Sequence, residues 1–403
     1  MSNAQPAPPP PGRNVWNFSA GPGVMPLPVL EQAARELPNW NNSGMSVMEL
    51  SHRSPEFESI LADAERQFRQ LLDIPPTHAV LWMQGGATTQ FSSVVYNLFP
   101  GKDTGKVGDY IVTGGWSEKA MQEAQRLGVP VNAVINTKKT NHDGNVPPTA
   151  EWNFTPAEKA AYVYYCDNET VHGVEFPVPE GCDVARPPAG IDPSVPVICD
   201  MSSNILSRRI DVSKYAVIFA GAQKNIGPAG VTVVIIRRDL IGNAQNVNHT
   251  LTVPLMLDFK TYADNNSMYN TPPTYAIYIS NLVFHWLLTT VGGLPAMQQL
   301  NHQKSTLLYT AIDASEGFYT CPVNRTWRSR MNVPFRVNDP ATGKPSEGLE
   351  KEFAKRAEER RMVQLKGHRS VGGMRASLYN AMSLEGVRAL VAFMEEFRKE
   401  HAK

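Results

Sequence analysis

Between residues 79 and 236 short, almost uninterrupted apolar runs alternate with longer stretches of mixed polarity. The runs are Ala79–Met83, Tyr110–Val112, Val131–Ile135, Ala161–Tyr165, Val195–Cys199, Ala216–Ala220 and Val231–Ile236. A strand that faces water on one side alternates in polarity; these do not, so each is expected to be covered on both faces. With helical stretches between them the runs predict βαβ units and a mostly parallel central sheet, an α/β fold. Ala79–Met83 leads through Gln84–Gln90 into a helix from Phe91, and Tyr110–Val112 leads through Gly114, Gly115 and Trp116 into a helix ending near Gly128.

Past about Asn270 the pattern changes. The most apolar window, Tyr275–Leu294, contains Asn281 and His285 and follows Pro272 and Pro273, which predicts a buried helix with Pro in its first turn rather than a membrane span. A loop around Pro322, a strand over Met331–Val337 and further helices follow. The last segment, Ser383–Lys403, opens on an N-cap residue and sets Val387, Leu390, Val391, Met394 and Phe397 on one face. The expected organisation is a flexible Pro-rich leader over residues 1–14, a large α/β domain over 15–269 and a smaller α+β domain over 270–403.

Charge narrows the function. The 403 residues carry 38 Lys+Arg against 38 Asp+Glu, and no domain-sized stretch holds the basic excess that phosphate backbones require, so no nucleic-acid partner is expected. The leader lacks the apolar stretch of a secretory signal, and the four cysteines (Cys166, Cys182, Cys199, Cys321) have neither CxxC nor metal-ligand spacing. A reducing, cytoplasmic location with no disulfide framework and no metal site is the expectation.

The stretch Ala220-Gly-Ala-Gln-Lys-Asn-Ile-Gly-Pro-Ala-Gly230 places Lys224 among small residues between two apolar runs. An amine in such surroundings loses solvation, its pKa falls, and the neutral form that attacks carbonyls becomes populated, as a Schiff-base lysine requires. Asp200 ends a predicted central strand, where open α/β sheets bind ligands, and opposite a pyridine nitrogen it would keep that ring protonated. Gln84–Gln90 sits between strand and helix, so Gly85 and Gly86 admit a phosphate to the helix N-terminus, with Thr88 and Thr89 as extra donors. Trp116 is placed to stack on a planar ring. Two basic stretches, Ser51-His-Arg-Ser54 and Lys366-Gly-His-Arg-Ser-Val-Gly-Gly-Met-Arg-Ala376, have the donors of anion sites and more of them than one small monoanion needs. Taken singly, each has an ordinary explanation: a lysine reaching water, an aspartate capping a turn, a core tryptophan, solvated basic turns.

Together, and in order, these stretches resemble the phosphoserine aminotransferases, pyridoxal-phosphate enzymes of the class V aminotransferase group with the type I fold. Asn17-Phe-Ser-Ala-Gly-Pro22, Ser46-Val-Met-Glu-Leu-Ser-His-Arg53, Ser202-Ser-Asn-Ile-Leu-Ser-Arg208, Met268-Tyr-Asn-Thr-Pro-Pro-Thr274 and Arg330-Met-Asn-Val-Pro-Phe335 add to the match. The resemblance implies that Lys224 holds pyridoxal 5′-phosphate covalently, Asp200 pairs its ring nitrogen, Trp116 stacks on it and Thr170 bonds its phenolic oxygen. It assigns the cofactor phosphate to Gln223, Ala87 and Thr88, with Asn270 and Thr271 reaching it from a partner subunit, so that a homodimer is part of the site. Arg375 would take the substrate α-carboxylate; His368 and Arg369, with His52 and Arg53 from the partner, would bind the distal anion. The implied substrates are L-glutamate and 3-phosphohydroxypyruvate. Ala20 stands where the family often has a second serine, so a contact to glutamate there is backbone or absent. Alternatives are another class V enzyme, such as an alanine–glyoxylate aminotransferase, a cysteine desulfurase acting through Cys321, or a non-catalytic phosphate-binding α/β module.

Overall fold

The computed structural model describes residues 9, 12–138, 145–242 and 253–402; most of the leader expected over 1–14 lies outside these residues. All seven apolar runs are strands of one sheet, in the order His78–Met83, Thr232–Arg237, Val217–Gly221, Val197–Asp200, Ala160–Cys166, Val107–Val112, Val131–Asn136. Thr232–Arg237 runs antiparallel to both neighbours; the remaining pairings are parallel. The exception follows from the chain: residues 222–231 join two adjacent strands without a crossover helix, which a parallel pair would need. Successive side chains then enter two different cores. Val80, Trp82, Ile111, Val163 and Tyr165 pack on one face, and Leu81, Met83, Tyr110, Val112 and Tyr164 on the other. This is why the runs carry no polar alternation.

The window predicted as one buried helix is broken. Helix Thr274–Trp286 passes through a π-turn, Leu287–Val291, to a second helix, Gly293–Asp313, bent 81° from it. Gly292 and Gly293 stand at φ 92° and 86°, a region open to glycine, and Pro295 fits the first turn of the new helix. Among the described residues no single helix is long and apolar enough to cross a membrane. Ile277, Tyr278, Phe284, Leu287 and Met297 pack into the first sheet core, although the expected division at 270 puts them in the smaller unit. Farther along the same helix, Leu308, Tyr309 and Ile312 enter a third core with Phe335, Phe353, Leu390 and Phe397. Around it lie an antiparallel sheet of Tyr319–Thr320, Asn332–Val337 and Met374–Ser377, and the helices Glu347–Glu359 and Leu384–His401. Ser383 caps the last helix, accepting from the Gly386 N–H. Trp16–Asn17 pairs in parallel with Met362–Val363, so the start of the described chain is built into this third core.

Helix Gly293–Asp313 is tied by a buried cation to the segment that follows the strand of Arg375, Met374–Ser377. The fully buried Lys304 ammonium donates to the carbonyls of Leu378 and Tyr379 at 3.1 and 2.9 Å. Burial pushes this amine down to about 7, from 10.5. Above that pH the unfolded chain binds a proton that the folded one has released, so stability is expected to rise between about pH 7 and 10. Lys304→Met is expected to flatten that rise and, by stranding the carbonyls, to lower stability at pH 7 by about 2 kcal/mol. Denaturant titrations at the two pH values check both.

Candidate active site

A cavity of about 410 Å³ opens at the carboxyl ends of the parallel strands, where turns after several strands converge. Lys224 enters it from the link 222–231, and its Nζ donates to Thr170 Oγ1 at 2.8 Å. The same Nζ lies 5.8 Å from the centroid of the Trp116 ring. Gly21 passes close by: a Cβ there would sit 3.5 Å from Lys224 Cε. Part of the lysine's surface faces the cavity, yet the amine is deep enough that burial pushes its pKa down, with Asp200 pulling it back up.

Asp200 is the last residue of Val197–Asp200 and lines the same cavity. Its Oδ1 accepts the Ser202 N–H at 2.8 Å. Burial pushes the carboxyl up, while Ser202 and the Lys224 amine pull it down. An amine and a carboxylate from separate segments are therefore desolvated within one small space.

The wall opposite is the N-terminus of helix Gly86–Leu98. Gly85 and Gly86 have φ 93° and 69°, which turns the chain sharply from strand to helix; the Gly86 N–H donates to Thr232 Oγ1 at 2.8 Å, and the N-cap Gly85 has no side chain to take up the amides that follow. Ala87 and Thr88 line the cavity. Thr89 does not act as the second hydroxyl expected there, because its Oγ1 donates to the Gly85 carbonyl at 2.9 Å, one helical turn back. Gln223 also lines the space.

Trp116 stands in the first turn of helix Gly115–Arg126, which is held from outside by Glu169. This fully buried carboxylate accepts the Trp116 N–H at 2.9 Å, the Ser117 N–H at 2.8 Å and the Ser117 hydroxyl at 2.6 Å. Gly114 makes room for it, since a Cβ there would lie 2.5 Å from Glu169 Cδ. Nothing in the sequence singled out Glu169. The available signal was a helix opening on Gly114-Gly115-Trp116 with no N-cap side chain of its own, which therefore needs a carboxylate from elsewhere.

The third core contributes Arg375, whose Nη1 donates to the Thr170 carbonyl at 3.2 Å and whose pKa burial lowers. Its loop folds back on itself, Gly367 N–H to Gly373 carbonyl at 2.8 Å, and brings His368 to the cavity. Arg369 instead faces a second cavity just outside. Ala20 lines the inner cavity, but its carbonyl accepts the Tyr379 hydroxyl at 2.6 Å. His52, Arg53, Asn270 and Thr271 are not among the lining residues. Arg53 Nε and His52 Nε2 meet at 3.4 Å on an exposed turn, and Asn270 Oδ1 is buried without a partner. Cys321 lies elsewhere, in the third core, with its thiol pushed up by burial; Cys166 reaches the cavity, but its thiol is raised in the same way. Neither is the activated nucleophile a desulfurase needs.

Known proteins share both this sequence and this architecture. The class V aminotransferase family profile matches residues 15–390. A phosphoserine aminotransferase of Laribacter hongkongensis is 51% identical over 96% of this chain and 99% of its own length. The chain belongs to the phosphoserine aminotransferase family. Among solved structures, the family member from Bacillus circulans superposes with a TM-score of 0.85 at 43% identity, covering 96% of this chain and 99% of that one. The member from Trichomonas vaginalis, solved with pyridoxal phosphate bound, gives 0.82 at 42% identity over 94% and 99%. The mostly parallel sheet with its smaller companion core is thus the type I fold of the pyridoxal-phosphate transferases.

Proposed function

We infer that this chain, using pyridoxal 5′-phosphate, transfers the amino group of L-glutamate to 3-phosphohydroxypyruvate, reversibly, giving 2-oxoglutarate and O-phospho-L-serine. The observation that carries this reading is the meeting of Lys224 and Asp200 in one cavity beside Arg375 and His368.

The donor set suits the cofactor. Uncapped amides at Ala87 and Thr88, with Gln223, suit its phosphate; the Asp200 carboxylate suits a protonated ring nitrogen; Trp116 supplies a face, Thr170 a hydroxyl and Lys224 the attaching amine. When bound, the group supplies an electron sink for the pair left when the substrate's α-proton departs. Arg375 binds and orients the α-carboxylate. The Lys224 amine, once released by the incoming substrate, takes the α-proton and returns it on the other side of the transfer, for which a depressed pKa fits it. His368 and Arg369 hold the distal anion, which must be a carboxylate in one half of the reaction and a phosphate in the other; charge-assisted donors tolerate both.

The proposal includes a homodimer in a cytoplasmic setting, with His52 and Arg53 completing the distal site and Asn270 and Thr271 the cofactor phosphate site of the opposite subunit. Their positions away from this chain's own cavity support that reading. The test is direct. Purified protein with the cofactor is expected to form 2-oxoglutarate from glutamate and 3-phosphohydroxypyruvate, and far less with unphosphorylated hydroxypyruvate; equal rates on both oxoacids would remove the phosphate specificity. Arg369→Ala is expected to raise KM for the phosphorylated oxoacid by about 30-fold, the equivalent of ~2 kcal/mol. An unchanged KM would place the phosphate elsewhere.

A further inference from the structure

Outside the Lys224 cavity lies a second one of about 450 Å³, which shares Trp116, Val171 and His368 with it as lining residues. Its charge is one-sided. The cations Lys119 and Arg369 face it together with the imidazoles of His172 and His368, and the third cation there, Lys138, is paired with Glu118, the only acid among the described residues of its lining. Lys119 has no carboxylate partner among the described residues; its ammonium lies 4.4 Å from the centroid of the Trp116 ring.

The two histidines share a feature. His172 Nδ1 accepts the Gly115 N–H at 3.3 Å, and His368 Nδ1 accepts the Ser370 N–H at 3.2 Å. A nitrogen that accepts from a backbone N–H carries no proton of its own, so in both rings the proton is assigned to Nε2, which is left as a donor. Protonating His368 is disfavoured by burial and by Arg375, Arg369, Lys119 and His172 around it. The space thus gathers two cations without a carboxylate partner among the described residues, Lys119 and Arg369, and two imidazole N–H donors.

We propose that Lys119 and His172 make this outer cavity a phosphate-holding site that favours the phosphorylated substrate pair over glutamate. The inference rests on the function proposed above and adds two specificity residues to it. A phosphate offers three acceptor oxygens and up to two charges, whereas the γ-carboxylate of glutamate offers two oxygens and one charge. Donors beyond His368 and Arg369 therefore gain more from the phosphate.

Holoenzyme carrying Lys119→Met or His172→Phe is expected to show KM for 3-phosphohydroxypyruvate raised about tenfold relative to any change in KM for glutamate. Inorganic phosphate, used as a competitor of 3-phosphohydroxypyruvate, is expected to lose inhibition by a similar factor. Lys119→Arg, which keeps the charge, is expected to recover most of both. Lys119 is exposed, so the fold does not depend on it. Equal changes for the two substrates, or unchanged phosphate inhibition, would overturn the proposal. An unsubstituted protein inactive on 3-phosphohydroxypyruvate would instead overturn the reading it rests on.

Discussion

Lys224→Ala is expected to lower turnover by about 10⁵-fold or more, to the background of the free cofactor. The size follows from two tasks resting on one atom. On the function proposed above Nζ is the attachment point for the cofactor, and it is the only amine among the described residues that line the cavity, so its removal would take away both the anchor and the proton carrier. The fold has little reason to respond, because the hydrogen bond lost is the single 2.8 Å contact to Thr170 Oγ1. Lys224→Arg separates charge from chemistry. A guanidinium preserves the positive charge beside Asp200 but does not release its proton at working pH, so this variant is expected to be as inactive as the alanine one. Reductive trapping of the unsubstituted protein should label the peptide that contains Lys224 and no other. Near-normal rates in either variant would remove the assignment.

The sheet was legible because its strands are covered twice. A run such as Ala79–Met83 sends alternate residues into two cores, so it shows in the sequence as continuous apolar character. The same property leaves the passage from one core to the next unmarked: helix Thr274–Trp286 is apolar because it packs on the sheet, and nothing in its composition tells which core it serves. Trp16–Asn17 was illegible for another reason. Two residues set no period, and the partner strand, Met362–Val363, lies at the far end of the chain. Within the site, Lys224 and Asp200 could be read from a local anomaly, a cation and an anion each set against apolar runs. Glu169 could not, since its role exists only where Gly114 lets it reach the amides of Trp116 and Ser117. Long-range hydrogen bonds leave no local trace. The outer cavity is the same case, being assembled from four separate segments, those of Lys119, Lys138, His172 and Arg369.

Asp200→Asn is expected to cut turnover by about 10³-fold, roughly 4 kcal/mol in the barrier, while leaving the fold intact. The substitution is nearly isosteric, and an amide oxygen can still accept the Ser202 N–H that Oδ1 accepts now, so the backbone turn after the strand survives. What disappears is a charge held where burial opposes it. A desolvated carboxylate costs stability, so without cofactor the Asn variant is expected to melt no lower than the unsubstituted protein, and higher if anything. Loss of rate with retained or increased stability is the signature of a residue kept for chemistry at the expense of folding. The substitution acts on Lys224 as well: Asp200 pulls that amine's pKa up, so its removal lets the value fall further, and the proton is released at lower pH. The pH profile of whatever activity remains is therefore expected to shift toward acid. Full activity in the Asn variant would mean that the ring nitrogen does not depend on this carboxylate; a fall in both rate and melting temperature would make Asp200 a structural residue that only happens to line the cavity.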